Sequence, residues 1–139
     1  GTLDYVKPKQ SYLTFSASPG GGDDGRLTIA EIDSLRAPGQ YAELVTLSAC
    51  ETARPLAISE DWYVSPANSF LRKKFKTVVA SLWQVNDEAT GILMTEFYKN
   101  LEKMDKVDAL RLAQQTLSNN AKYVHPYYWG GFVLYGDWR

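Results

Sequence analysis

The chain has 139 residues, of which 45% are hydrophobic and 22% are charged, as expected for one soluble globular domain with a single core. Fifteen basic residues against sixteen acidic ones leave a net charge of −1, so the charge does not favour nucleic acid or a membrane surface as a partner. No apolar run approaches the length of a transmembrane helix, and the first ten residues do not resemble a signal peptide.

The chain contains one cysteine and one histidine, which is too few for an internal disulfide or a zinc site. We therefore expect a reducing, cytoplasmic setting and no metal or other cofactor. Neither a G-x-G-x-x-G nor a G-x-x-x-x-G-K-[ST] pattern is present, so nothing predicts dinucleotide binding or a P-loop. The chain does not begin with Met, which suggests a piece of a longer protein.

Strand and helix signals alternate along the first half of the chain. The stretch SYLTFSAS, residues 11–18, is rich in β-formers and predicts a short strand, which a glycine-rich loop follows. Thr28 and Glu31 match a capping box and predict the start of a helix. The run ELVTLS, residues 43–48, predicts a buried strand, and the long stretch 51–66 is predicted to be irregular.

The second half continues the alternation. A short helix is predicted over 67–75, with a basic end that complements the helix dipole. The stretch TVVASLWQV, residues 77–85, is almost continuously apolar and predicts a central parallel strand that is covered on both faces. A helix capped by Asn86 or Asp87, a second helix capped by Asp105 and a last strand, FVLYG, follow. The order β, α, β, α, β, α, α, β predicts an α/β fold with an open, mostly parallel sheet flanked by helices.

Cys50 lies two residues after the strand ELVTLS, at the end of a strand instead of inside one. In open α/β sheets the functional crevice lies outside the carboxyl ends of the parallel strands. The next strand ends in SLWQVND, which predicts Ser81, Trp83 and Asp87 at the same edge. A thiol, an aromatic wall and a carboxylate in one cleft suit acyl transfer with Cys50 as nucleophile. The alternative is that Cys50 is a small buried core residue.

The only histidine is His125, in YVHPYYW. Nothing in the predicted topology places it beside Cys50. We expect a structural, partly buried histidine at the start of an edge strand. Without a base, Cys50 would be a poor nucleophile at neutral pH.

Four motifs in order, LVTLSACETA, VVASLWQVNDEATGILMTEFYKNL, DALRLAQQTL and HPYYWGGFVLYGD, resemble the C-terminal two-thirds of a CHAT domain, and the resemblance covers about residues 11–137. It implies a caspase/hemoglobinase-like, three-layer α/β/α fold and, in active members, a cysteine endopeptidase with a Cys–His dyad. The family's nucleophile corresponds to Cys50. The substrate of the family lies along the segment matching SLWQVND, so the resemblance implies that Ser81, Trp83 and Asp87 line the S1 side of the cleft.

The chain departs from the family pattern in several places. The family's histidine ends a strand upstream of the one that matches SYLTFS, and no segment here corresponds to it. His125 falls in the closing HPYYW motif, which is not catalytic in the family. A glycine that the family usually has soon after SACET is missing, and Lys74 and Phe75 stand where a glycine commonly ends the preceding helix. These changes favour an altered substrate preference or a degenerate site.

We therefore predict that residues 1–139 form the C-terminal portion of a single CHAT-like domain, whose catalytic histidine lies in upstream sequence. The expected partners are a protein or peptide substrate and tetratricopeptide repeats or other domains of the same parent chain, in a bacterial cytoplasm. The alternative is a non-catalytic scaffold with a partner surface, for which the candidates are Trp62, Tyr63, Tyr127 and Tyr128, although we expect most of them to pack in the core or a crevice. A flavodoxin-like binding domain ranks third, because its only candidate phosphate loop, PGGGDDG, carries two carboxylates that would repel an anion.

Overall fold

The computed structural model of the chain describes residues 12–16, 24–36, 43–48, 57–58 and 63–139. In this part of the chain the strands are β1 (Tyr12–Thr14), β2 (Arg26–Thr28), β3 (Leu44–Leu47), β4 (Ala57–Ile58), β5 (Tyr63–Val64), β6 (Thr77–Ser81) and β7 (Phe132–Gly136). The helices are α1 (Ile29–Ser34), α2 (Pro66–Arg72), α3 (Asp87–Leu101) and α4 (Lys106–Ser118), and a 3-10 turn at Pro126–Tyr128 precedes β7.

The strand β6 is the centre of a three-stranded sheet with the order β3-β6-β7. It pairs parallel with β3, with Leu44 opposite Thr77 and Leu47 opposite Ala80. It pairs antiparallel with β7, with Ser81 opposite Phe132. All five residues of β6 are buried, which confirms the prediction of a central strand covered on both faces. The strand is shorter than the predicted stretch 77–85, since it ends at Ser81, and it is parallel to β3 alone.

Helices cover both faces of this sheet. Successive side chains of a strand point to opposite faces, and the neighbours of β6 follow that rule. Val79 packs into a core formed mainly by α3 and α4. Val78 and Ala80 pack into a second core with residues of α1 and α2. The result is a three-layer α/β/α arrangement around a mixed sheet, which confirms the predicted α/β class.

Local signals in the sequence account for most helix boundaries. The capping box of α1 forms as predicted, because the Glu31 amide donates to the Thr28 hydroxyl at 3.1 Å and the Glu31 carboxylate accepts from the Thr28 amide at 2.7 Å. Asn86 caps α3, and its side-chain oxygen accepts from the Ala89 amide at 3.0 Å. Asp105 occupies the N-cap position of α4, but its side chain makes no capping hydrogen bond, so that part of the prediction is wrong.

The short strands are where the sequence prediction fails. The stretch 51–66 was predicted to be irregular, but β4 and β5 within it pair antiparallel. The strand β2 was also not predicted, and it pairs antiparallel with β1. Strands of two or three residues are too short to show the alternation of polar and apolar residues on which a strand prediction rests.

The end of α2 is also earlier than predicted. The helix ends at Arg72 instead of Phe75, and Lys74 takes a left-handed backbone conformation with φ of 67°. The basic residues at this end bind α1, because the Arg72 guanidinium donates to the Asp33 carboxylate at 2.8 Å and the Lys73 ammonium donates to the Asp33 carbonyl at 2.7 Å. The two helices on this face of the sheet are therefore joined through Asp33.

Gly136 at the end of β7 should be sensitive to substitution. Its φ is +95°, and a Cβ at this position would overlap the carbonyl oxygen of Lys76. We expect Gly136→Ala to lower the free energy of unfolding by about 2 kcal/mol or more in urea denaturation. The matched control is Gly91→Ala on α3, where an added Cβ meets nothing within 4 Å and should stabilise the helix by about 0.5–1 kcal/mol. Equal effects of the two substitutions would contradict this account.

Candidate functional site

The carboxyl ends of β3 and β6 are level with each other. Leu47 and Ala80 form the last pair between the two strands, so Ser48 and Ser81 follow at the same edge of the sheet, where Ser81 still pairs with Phe132 of β7. This is the edge at which ligand and active sites of open α/β sheets lie. Cys50 follows Ser48 by two residues and lies outside the described part of the chain. Its predicted role as nucleophile therefore stays a prediction.

The three residues predicted to accompany Cys50 differ in accessibility. Ser81 is the last residue of β6, and it is fully buried. Trp83 follows in the connection to α3 and is half-buried against the core of α3 and α4. Asp87 is the first residue of α3 and is exposed. The fold thus brings all three to one end of β6, but only Trp83 and Asp87 have side chains that reach the surface there.

Trp83 is held by the segment that precedes β7. Its indole N–H donates to the backbone carbonyl of Tyr127 at 3.0 Å. The rings of Trp83 and Tyr127 stack with centroids 6.5 Å apart and an interplanar angle of 18°. A Cβ at Gly131 would lie 3.0 Å from the Trp83 ring and 3.0 Å from a Val85 methyl, so the absence of a side chain at Gly131 permits this close approach.

A cleft with a volume of about 340 Å³ opens beside this contact. Its walls are the connection from β6 to α3 on one side and the 3-10 turn on the other. The lining residues are Gln84, Val85, Asn86, Asp87, Tyr127 and Tyr128. Asp87 is the one predicted site residue among them.

Tyr127 and Tyr128 were considered as members of a partner surface, with packing in the core or a crevice expected for most of that set, and both line this cleft. Tyr127 is 44% exposed, whereas Tyr128 is partly buried against the core of α3 and α4. The available signal was the need of the Trp83 indole N–H for an acceptor, which the backbone carbonyl of Tyr127 supplies here. Trp62 lies outside the described residues, and of Tyr63 only its place in β5 is described.

His125 is exposed, which corrects the prediction of a partly buried histidine. The predicted structural role is confirmed, because its Nδ1 accepts a hydrogen bond from the Tyr127 amide at 3.1 Å and so caps the 3-10 turn. Proline at the first position of this turn removes a donor that would otherwise need a partner. The burial expectation failed because His125 lies in a stretch at the protein surface, in which residues 124–127 are all exposed.

The 3-10 turn is anchored on α4 and closed by its own backbone. The side-chain amide of Gln114 donates to the carbonyls of Trp129 at 3.1 Å and Phe132 at 3.0 Å. The Gly130 amide donates to the Pro126 carbonyl at 2.7 Å. One polar side chain on α4 thus fixes the segment between the turn and β7.

The charges near the cleft belong to the start of α3. Asp87 and Glu88 lie in its first turn, where negative charge is favoured by the helix dipole. Glu88 pairs with Lys122 at 2.6 Å, and this hydrogen bond is the main reason that the pKa of Glu88 is lowered. Both side chains are largely exposed, so the pair contributes little to stability. Within the described ranges, no group of three or more His, Cys, Asp or Glu residues could hold a metal ion.

The geometry defines a three-layer α/β protein with a cleft at the carboxyl edge of a central parallel strand pair. A family model, the CHAT domain, matches residues 1–137, and the chain therefore belongs to the CHAT domain family. This confirms the resemblance inferred from the four sequence motifs. No curated protein matches the chain significantly. None of the helices described by the structure combines the length and apolar character needed to cross a membrane.

Another short side chain that accepts a hydrogen bond from the Tyr127 amide should be able to replace His125 as the cap of the 3-10 turn. We expect His125→Ala to lower the free energy of unfolding by about 0.5–1 kcal/mol and to speed hydrogen exchange of the Tyr127 amide. His125→Asn supplies a side-chain oxygen at the same position and should keep most of the stability. If the alanine and asparagine variants behave alike, the imidazole does not act as a cap.

Proposed function

We propose that the chain is the C-terminal part of a caspase-like cysteine endopeptidase domain, with Cys50 as the nucleophile and a histidine from upstream sequence as its base. The observation that carries this proposal is the level ending of β3 and β6 in a CHAT-family fold. That arrangement brings Ser48, two residues before Cys50 in the sequence, and the segment carrying Trp83 to the same edge. A nucleophile and a substrate-binding wall can then face one cleft.

The reaction is acyl transfer to a thiol. The histidine takes the proton of the Cys50 thiol, and the thiolate attacks the carbonyl carbon of the scissile peptide bond. Backbone N–H groups stabilise the oxyanion of the tetrahedral intermediate. The histidinium then protonates the leaving amine as the C–N bond breaks, which leaves a thioester on Cys50. Water activated by the same histidine hydrolyses the thioester and regenerates the thiol.

The substrate side of the site is assigned to the segment that follows β6. On this proposal, Trp83 and Asp87 line the S1 side, and Ser81 supports them from its buried position at the strand end. The cleft bordered by Asp87 and Tyr127 is large enough for one side chain of a peptide substrate. The proposed partner at this site is a protein or peptide in extended form.

A specific observation favours a second candidate, a non-catalytic interaction module of the same fold. His125 is the sole histidine of the sequence, and its Nδ1 is engaged in capping the 3-10 turn. Tyr127 and Trp138 expose 44% and 53% of their surface and offer aromatic contact area to a partner. The two candidate functions predict different upstream sequences in the parent protein. The enzyme requires a His-Gly pair at the end of a strand there, whereas the interaction module does not.

The context of the domain forms part of the same proposal. We infer that residues 1–139 belong to one CHAT domain in a larger protein, in which tetratricopeptide repeats or other domains recruit the substrate. A reducing cytoplasm fits the single cysteine, and the proposal of a bacterial source rests on the resemblance to the family.

The pH dependence of Cys50 alkylation tests the enzymatic proposal. In the full-length protein we expect iodoacetamide to modify Cys50 with an apparent pKa well below the reference value of about 8.5. Replacement of the upstream histidine by alanine should return the reactivity to the reference range, because the imidazolium no longer stabilises the thiolate. Cys50→Ser identifies the modified site, since Cys50 is the only cysteine of these 139 residues.

A thiol in the full-length protein that titrates at or above the reference value would contradict the peptidase proposal. The same result would favour the interaction module, in which Cys50 has no catalytic role.

A further inference from the structure

We propose that Tyr127 is a positioning residue that holds the substrate-binding segment, defined as residues 82–86, in its working conformation. This inference rests on the proposed peptidase function and assigns a role to a residue outside the motif around Cys50. The segment connects β6 to α3 and has no regular secondary structure. Its conformation therefore depends on contacts from elsewhere in the fold.

The sheet holds only the first residue of this segment. The Leu82 amide donates to the Gly131 carbonyl at 2.9 Å, one position beyond the last β6-β7 pair. Asn86 at the other end is held by the start of α3, where its side chain caps the helix. Between these two points, Val85 and Trp83 pack against the core of α3 and α4, whereas Gln84 is exposed and its backbone is held neither by the sheet nor by the core.

Tyr127 supplies that support with both its side chain and its main chain. Its hydroxyl donates to the Gln84 carbonyl at 2.6 Å, and its backbone carbonyl accepts from the Trp83 indole at 3.0 Å. The stacked rings of Trp83 and Tyr127 lie between these two hydrogen bonds. One residue of the 3-10 turn thus fixes two consecutive residues of the substrate-binding segment.

Tyr127 is itself well anchored, which a positioning residue requires. Its amide is bound by His125, and the turn that carries it is tied to α4 through Gln114. With 44% of its surface exposed, Tyr127 contributes less to the core than a buried tyrosine would. Its fixed hydrogen bonds, and not apolar burial, distinguish it from an ordinary surface aromatic.

If Tyr127 has this role, the reactivity of the thiol and the binding of a peptide depend on different residues. The chemistry of the thiol depends on Cys50 and its base, whereas recognition of a peptide depends on the conformation of the substrate-binding segment. Loss of the Tyr127 hydroxyl should therefore slow reactions that require peptide binding, and leave the intrinsic reactivity of the thiol unchanged. An ordinary loss of stability would affect both.

The test compares two labelling reactions of Cys50 in the full-length protein. One uses tetrapeptidyl acyloxymethyl ketones with the P1 residue varied over the common side chains, and the other uses iodoacetamide. For Tyr127→Phe, which keeps the ring, we expect the rate of peptidyl labelling to fall about threefold to tenfold, the effect of one hydrogen bond. The rate with iodoacetamide should not change.

The matched control is Tyr98→Phe on α3. Tyr98 is 50% exposed, and its hydroxyl donates to the Thr46 hydroxyl at 2.8 Å, so this variant also removes a hydrogen bond of an exposed tyrosine. It should not change the ratio of the two labelling rates. Hydrogen exchange of a peptide covering residues 82–86 should be faster in Tyr127→Phe than in wild type or Tyr98→Phe.

Each failure has a distinct signature. If the wild-type protein reacts with iodoacetamide but with no peptidyl ketone, the proposed peptidase function fails, and the role of Tyr127 fails with it. If wild type and Tyr127→Phe react equally fast with the peptidyl ketones, only the positioning role is overturned. Slower peptidyl labelling with unchanged exchange over residues 82–86 also overturns it, since the hydroxyl would then act by direct contact with the peptide.

Discussion

The burial of β6 on both faces is the constraint on which the rest of the structure depends. Val79 joins the core of α3 and α4, and Val78 and Ala80 join the core of α1 and α2, so one short strand connects both hydrophobic cores. A shift by one residue would exchange the side chains that β6 contributes to the two cores, and would disrupt the close packing of both. The fixed register with β3 and β7 follows from it, and so does the level at which β3 and β6 end.

Beyond the end of β6, side-chain contacts instead of sheet pairing hold the chain in place. The sheet cannot hold the connection to α3, since the ladder with β7 ends near Gly131. Specific side chains hold it instead: Tyr127 at two points, and Asn86 through its cap on α3. This is a common division in α/β proteins, in which a rigid scaffold supports loops that carry the function. Here the cleft lies between one such loop and an anchored 3-10 turn.

Much of this fold could be predicted because its signals are local or strongly periodic. The box of Thr28 and Glu31 and the cap of Asn86 satisfy backbone groups within one turn, so neighbouring residues suffice to identify them. The apolar run of β6 is visible because both faces are buried. In contrast, β4 and β5 owe their existence to pairing with each other, and segments of two residues carry no periodic signal. Asp105 shows the opposite error, in which a residue suited to a cap makes no capping hydrogen bond.

The candidate site shows the same difference between local features, which the sequence predicts, and contacts between distant residues, which it does not. Patterns along the chain were sufficient to predict the α/β class, the central strand, and the edge of the sheet at which Trp83 and Asp87 lie. It also carried the four motifs that place the chain in the CHAT family. Three features required the folded structure: the burial of Ser81, the capping of a turn by His125, and the contact of Tyr127 with a segment more than forty residues earlier in the chain. The partners in these contacts are far apart in the sequence. A local sequence pattern depends only on neighbouring residues, so it does not indicate which distant groups come together in the fold.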